Sequence, residues 1–361
     1  MSFDPLVPYN DLPGLPPKAD IETRNVLRKA IVAGRALAEL KGLGETIPNQ
    51  AILVNSLILQ EARASSEIEN IVTTNDALFQ AFSAKTTRID PATKEVLRYR
   101  EALWEGYHAL KRRPLLSTDL FIRIVQTIKQ DQAGIRNAPG TKVTNMHTGE
   151  IIFTPPAGPA VIRKKLKELE DFIQDSGPLD PLIKLALIHY QFEAIHPFFD
   201  GNGRTGRIVN ILYLVQTGLL DLPVIYLSKP IIERKSDYYR MLRGVSVDGD
   251  WEPWIIFMLE AVEQASVFSR QRIMDIRALM LETLEYARQT LPGRVYSKEL
   301  IELIFMQPYT KGQFLVNAGI AKRQTAAEYL KALADVGILK GVKMGKEVLY
   351  LNERLYALLG K

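Results

Sequence analysis

The sequence predicts a mainly helical protein in which one β-hairpin interrupts the helices and a small basic module closes the chain. Apolar residues recur at helical spacing over most of the length, and a single segment carries β-branched residues on both sides of a turn. Charge is uneven as well. The stretch from Gly293 onward holds eleven Lys/Arg against six Asp/Glu, so it carries the whole net excess of +5. We therefore expect three units: 1–105, an N-terminal helical region; 106–290, a helical core; and 291–361, the basic module.

In chain order, Pro5, Pro8, Pro13, Pro16 and Pro17 mark an extended leader, and Asp20 is the expected N-cap of a helix that ends before Gly42. A second helix is expected from about Pro48. Further helical patterns follow at 91–112, 117–130, 159–175, 180–195, 207–218, 236–246 and 252–289. Between them, "GTKVTNMHTGEIIFTPPAG" reads as a hairpin closed by Pro155 and Pro156. The start "MSFDPLVPYNDLPGLPPKAD" lacks the pattern of a secretory signal, and the most apolar stretch, at 211–228, is broken by Gln216, Thr217, Gly218, Asp221 and Pro223. With 47% hydrophobic and 24% charged residues, the expectation is a soluble cytoplasmic protein with no membrane partner. Cysteine is absent, which excludes disulfides, thiol catalysis and cysteine-ligated metals.

The chemistry concentrates in "AIHPFFDGNGRTGRIVN", residues 194–210. A buried helix from about Pro181 delivers His196 at its end, where Pro197 stops regular continuation. The "DGNG" turn tolerates positive φ and feeds a new helix, so backbone amides and a helix N-terminus form an anion site. Arg204 and Arg207, three residues apart, share one face of the first helical turn beside it. Asp200 adds one carboxylate of the kind that holds Mg²⁺ together with substrate phosphates. Taken singly, each residue has an ordinary structural explanation: a capping histidine, a turn, solvated arginines. The cluster does not. A Walker A loop fails for want of Gly-Lys-Ser/Thr, and a dinucleotide fingerprint fails for want of a preceding strand.

"HPFFDGNGRTGR" resembles the signature of the Fic (filamentation induced by cAMP) family. The resemblance runs from the leader to about residue 290 and is strongest from Gly134 to Trp254. It implies a helical Fic-type core and a protein adenylyltransferase: AMP moves from ATP to a Ser, Thr or Tyr hydroxyl of a protein, itself included, and pyrophosphate leaves. His196 is then the general base and Asp200 the Mg²⁺ ligand. Gly201, Asn202, Gly203, Arg204, Thr205, Gly206 and Arg207 bind the ATP phosphates, while Tyr238 and Tyr239 in "KSDYYRML" stand where the family places aromatics around adenine. The hairpin becomes a flap, about 144–156, on which the target's backbone docks by strand addition, with His147 among its side chains. His108 and His189 read as structural.

Upstream, "SSEIEN" ends the second helix and resembles the family's inhibitory motif, matched by Ser65, Glu69 and Asn70. The resemblance implies that Glu69 pairs with Arg207 in place of the γ-phosphate and restrains the enzyme. A Glu69-dependent removal of AMP from modified targets is an alternative. The C-terminal module resembles a winged helix-turn-helix: three helices, Gly319 at the turn, and two strands. If it binds DNA, the third helix presents Lys322, Arg323, Gln324, Thr325 and Lys331, and Lys343 and Lys346 of the wing touch phosphates. A nucleotide-sensing DNA-binding regulator is thus the second functional class, and a homodimer is the default assembly.

Overall fold

The computed structural model describes residues 3–45, 50–83, 89–132, 134–138, 140–144, 148–344 and 347–360. The N-terminal region holds α1 (Arg24–Glu45), α2 (Gln50–Ile68), α3 (Asn75–Ser83) and α4 (Pro91–Arg112). Next come α5 (Thr118–Lys129), the hairpin β1 (Val143–Thr144) and β2 (Ile151–Phe153), then α6 (Pro159–Gln174), α7 (Pro181–Ile195) and α8 (Asn202–Gln216). The short α9 (Ser228–Glu233), α10 (Lys235–Asp248) and the 40-residue α11 (Trp251–Thr290) complete the central body.

Local chemistry sets most helix starts. Asp90 precedes Pro91 and accepts from Thr93 N at 2.8 Å, and Asp180 precedes Pro181 and accepts from Leu182 N at 2.8 Å. Asp20, in contrast, is not the cap of α1. Its carboxylate accepts from Glu22 N in a local turn, Thr23 Oγ1 accepts from Val26 N at 3.3 Å, and the helix starts at Arg24 and runs through Gly42. Pro48 lies outside the described residues. Helices α3 and α9, and a last helix at Glu353–Gly360, were not expected from the sequence; each is nine residues or shorter and held by tertiary contact.

Helix α7 is apolar on every face and nearly all of it is buried, so it forms the axis of the body. Around it pack α6, α8 and α11, while α4 and α5 lie against α8. Helix α11 also runs beside α1, where Lys29 meets Glu263 at 3.1 Å. The leader is not free. Tyr9 N donates to Thr154 O at 3.0 Å, Gln191 Nε2 donates to Pro13 O at 2.8 Å, and Phe3 stacks on Phe153 of the hairpin with centroids 5.9 Å apart. The extended chain therefore backs the flap.

The C-terminal module contains α12 (Lys298–Phe305), β3 (Tyr309–Thr310), α13 (Gly312–Asn317), α14 (Arg323–Asp335), β4 (Lys340–Met344), β5 (Glu347–Leu351) and α15 (Glu353–Gly360). Its strands form an antiparallel sheet in the order β3-β5-β4, and Gly319 adopts φ 70 between α13 and α14. The three helices and the β4–β5 ribbon match the expected arrangement; β3 and α15 add to it. The module rests on α3 and α11: Tyr309 Oη donates to Asp76 at 2.6 Å, Phe79 meets Tyr356 edge-on, and Arg272 donates to Leu358 O. Among the described residues no helix is long and apolar enough to cross a membrane.

Candidate nucleotide and phosphate site

The α7–α8 junction assembles the site from its own backbone. Pro197 ends α7, and His196 caps it in the left-handed region at φ 48 while its N–H still reaches Phe192 O at 3.0 Å. Asn202 holds the following loop closed: its Oδ1 accepts from Phe198 N and its Nδ2 donates to Phe198 O, both at 2.8 Å. The Asn202 side chain is therefore spent inside the loop, and only its backbone amide is left for an anion. Gly201 turns at φ 81 with 3.1 Å between a would-be Cβ and Val125, which is why glycine stands there. Helix α8 then starts with unpaired amides at Asn202, Gly203 and Arg204.

Two buried arginines follow, each 1% exposed, and they point to different partners. Arg207 donates from Nε to Ser65 Oγ and from Nη2 to Ser65 O and Glu69 Oε1, all at 2.8 Å. Glu69 Oε1 also lies 2.1 Å from where a Gly203 Cβ would be, so this carboxylate sits against the α8 N-terminus where an anion belongs. Asn70, at φ 61, turns the chain away behind it and accepts from Lys235. Burial works against the Arg207 charge, but Glu69 and the other acidic neighbours more than compensate and hold its pKa above the usual guanidinium value.

Arg204 instead donates to Glu95 Oε1 of α4 at 2.5 Å and lies 3.4 Å from Asp200 Oδ1. Lys129 of α5 joins both carboxylates, 3.2 Å from Glu95 and 2.5 Å from Asp200. Burial raises the Asp200 pKa, and Lys129 and Arg204 overcome it and bring the net shift down. Glu95 and Lys129 were not found from the sequence. They lie 101 and 67 residues before His196, and no spacing connects them to the motif.

The Glu69–Arg207 pair, and not the Arg204–Glu95–Asp200–Lys129 cluster, lies on a cavity of about 370 Å³ whose walls include Glu69, His196, Gly203, Arg207, Tyr239 and, from the hairpin, Val143, Ile152 and Phe153. His196 is on this cavity and is held neutral: burial, then the Arg136 guanidinium, pushes its pKa down to about 4. Glu193 shares the wall, one turn before His196, and burial pushes it up to about 8. Its Oε1 lies 2.6 Å from where a Gly206 Cβ would be, so Gly206 makes room for this carboxyl. Sequence reasoning had no signal for Glu193, because an isolated Glu on an apolar helix carries no pattern.

The structure revises several expectations. Thr205 is fully buried, and its hydroxyl has no partner within the described residues; it does not line the cavity. Tyr238 touches the cavity but is 1% exposed, and its hydroxyl meets His189 Nε2 at 2.9 Å within a cluster with Trp254 and Phe257. Tyr239, 41% exposed, is the aromatic that remains available at the rim. His189 stacks on Trp254 and His108 on Trp104, as structural residues do. The hairpin pairs Val143 with Phe153 and Thr144 with Ile151 where a flap is expected. His147, with 145 and 146, lies outside the described residues.

Comparisons with known proteins agree with this geometry. Residues 115–214 match the Fic/DOC family model, residues 27–108 the Fic/DOC family N-terminal model, and residues 279–355 the model "Protein adenylyltransferase SoFic-like, C-terminal domain". Protein adenylyltransferase fic-1 of Caenorhabditis elegans is 31% identical over 124 residues, 34% of this chain and 22% of that protein. Protein adenylyltransferase Fic of Drosophila willistoni is 32% identical over 111 residues, 30% of this chain and 21% of that protein. The matched segment thus spans about a fifth of the length of these curated relatives. In fold, a Fic family protein from Desulfovibrio desulfuricans G20 superposes with a TM-score of 0.55 at 20% identity, covering 91% of this chain and 96% of that one. Fic-1 (aa134 - 508) from C. elegans gives 0.52 at 21% identity over 67% and 70% of the two chains. With its motif loop, its hairpin and all three family models in register along one polypeptide, the chain belongs to the Fic/DOC family.

Proposed function

We propose that this protein transfers AMP from ATP to a Ser, Thr or Tyr hydroxyl of a protein, and that Glu69 restrains it. One observation carries the reading: a neutral histidine shares a cavity with a helix-terminal anion site, a buried arginine and the edge of a hairpin. In the transfer, the target oxygen attacks the α-phosphorus, the bond from that phosphorus to the β-bridging oxygen breaks, and pyrophosphate leaves. His196 takes the hydroxyl proton. The amides of Gly201, Asn202 and Gly203, with Arg204 and Arg207, hold the phosphates, and most of the acceleration comes from alignment and charge. The β1–β2 edge docks the target backbone.

Asp200 fits a Mg²⁺ site of the single-carboxylate kind: its side chain is 62% exposed, it accepts from the Gly201 N–H and pairs with the cations Lys129 and Arg204, and phosphates would complete the coordination. When bound, the ion would neutralise phosphate charge. Glu69 opposes ATP by occupying both the Arg207 guanidinium and the α8 terminus, so the triphosphate and this carboxylate compete. The division into 1–105, 106–290 and 291–361 follows the same functional lines. In the last unit Lys322, Arg323, Gln324, Lys331 and Lys343 are exposed, which supports a nucleic-acid-binding role; Thr325 is half-buried and Lys346 lies outside the described residues.

The test is incubation of wild-type, Glu69→Gly and Glu69→Gly/His196→Ala proteins with Mg²⁺ and α-labelled ATP, followed by denaturing gel and mass analysis. Label on Glu69→Gly, less on wild type and none on the double variant is the expected result. Nucleotide binding without label on any of them would leave a sensor rather than a transferase.

A further inference from the structure

Arg136, in the connection between α5 and the hairpin, is 2% exposed. Burial alone pushes its pKa down to about 10, with no carboxylate among the described residues to offset it. Its guanidinium is satisfied by main-chain carbonyls instead. Nε donates to His196 O at 2.7 Å, and Nη2 donates to Ile195 O at 3.3 Å and to Pro156 O. The Arg136 N–H adds a bond to Pro197 O at 2.9 Å.

These acceptors belong to two different parts of the reaction. Ile195 and His196 end α7, where carbonyls lack helical partners and a cation is favoured by the dipole. Pro156 closes the hairpin that carries the target-docking edge. His196 is also one of three described non-glycine residues at positive φ, a conformation that needs an external hold. One planar fork grips the backbone of the base and the exit of the hairpin together.

We propose that Arg136 is a positioning residue that sets His196 and the hairpin relative to each other, so that the base and a docked hydroxyl meet. The proposal rests on the transferase reading for its purpose, though not for its geometry. The Arg136 charge has a second consequence. The charged and polar groups that act on His196 are Arg136 from the α5–β1 connection, Glu69 just beyond α2, Asp200 from the loop after it and the Glu193 backbone from α7. After burial, Arg136 is the strongest influence keeping the ring unprotonated, whereas the other three favour the proton.

Two variants separate fork from charge. Arg136→Lys keeps the charge and loses the planar fork; Arg136→Met keeps the length and loses both. The sequence has four histidines, so ring titrations can be followed by NMR, with His196→Ala assigning the signal. Rates and KM for a protein target are measured in the Glu69→Gly background. For Arg136→Met we expect the His196 titration to rise by about a unit or more and kcat to fall by about 10²-fold, as misplacement by an ångström does. For Arg136→Lys the titration should stay near wild type while kcat falls by about ten-fold or more and KM for the target rises. A folded Arg136→Met protein with unmoved titration overturns the charge effect, and Arg136→Lys with wild-type kcat and KM overturns the positioning role. If Arg136→Met does not fold, the Lys variant decides. Should no protein transfer label, the transferase reading fails, and the titrations still decide the Arg136–His196 coupling on their own.

Discussion

The two flanks of the α8 N-terminus use the same device in opposite ways. On one flank Arg204 is tied to Glu95 and Asp200, carboxylates from α4 and the motif loop, with Lys129 bridging both. On the other, Arg207 is tied to Ser65 and Glu69 at the end of α2. Both arginines are 1% exposed and neither can remain unpaired there. The Arg204 network also places the exposed Asp200, the carboxylate that the proposed transferase reading assigns to the phosphate machinery. The Arg207 partner instead lies against Gly203 at the α8 N-terminus, the space that the proposed reading gives to a phosphate. A buried cation beside an anion site has to be compensated when the site is vacant, and the choice of compensating carboxylate decides whether the site is prepared or blocked.

Four experiments sharpen or break that contrast. His196→Ala should lower labelling by ~10²–10⁴-fold on wild-type and Glu69→Gly chains alike, because the base serves both flanks; equal labelling with and without the imidazole would remove the base from the mechanism. Glu69→Gly should raise labelling by ~5–150-fold and tighten ATP binding, measured by calorimetry, and an unchanged rate would show that Glu69 does not block Arg207. Glu95→Gln should act in the opposite direction. It leaves Arg204 with the longer Asp200 contact, so we expect a loss of about ten-fold or less in rate and about 1 kcal/mol in stability by denaturant titration, modest because Glu95 is 21% exposed. A rise in rate would mean that the Arg204 flank inhibits as well.

The smallest effect concerns pH. His196 is lowered to about 4, so the base stays unprotonated well below the range in which an ordinary histidine charges. Titration of His196 should therefore cause no loss of kcat between pH 8 and 6, and a loss only as pH nears about 4. For stability, the unfolded chain takes the proton first, so the His196 contribution is full above the unfolded value near 6.5 and is lost as pH falls from there toward about 4. An acid limb near 6.5 that vanishes in His196→Ala protein would contradict the buried, neutral base.

Much of this was legible in the chain. The motif residues are local: a helix end, a proline, a glycine turn and a new helix fix His196, Asp200 and the amide cluster within about a dozen positions, and backbone rules are enough to read them. Glu69 was reached through the resemblance of Ser65, Glu69 and Asn70 to the family's inhibitory motif; the short spacing alone would not have singled it out. Thr205 and Tyr238 are both buried, and only Tyr238 reaches the cavity wall, since side-chain direction depends on neighbouring helices.

By itself, then, the sequence determined the helical class, the hairpin, the basic C-terminal excess and the helix–turn–helix course of residues 194–210, because these depend on local conformation and residue type. Only the tertiary structure brought Glu95 and Lys129 to Arg204 and Asp200. Glu95, Lys129, Arg136 and Glu193 come from three helices and a loop, and they act on the site by burial and charge over a few ångströms. Coulombic and desolvation effects depend on distance in space, which a one-dimensional chain does not record.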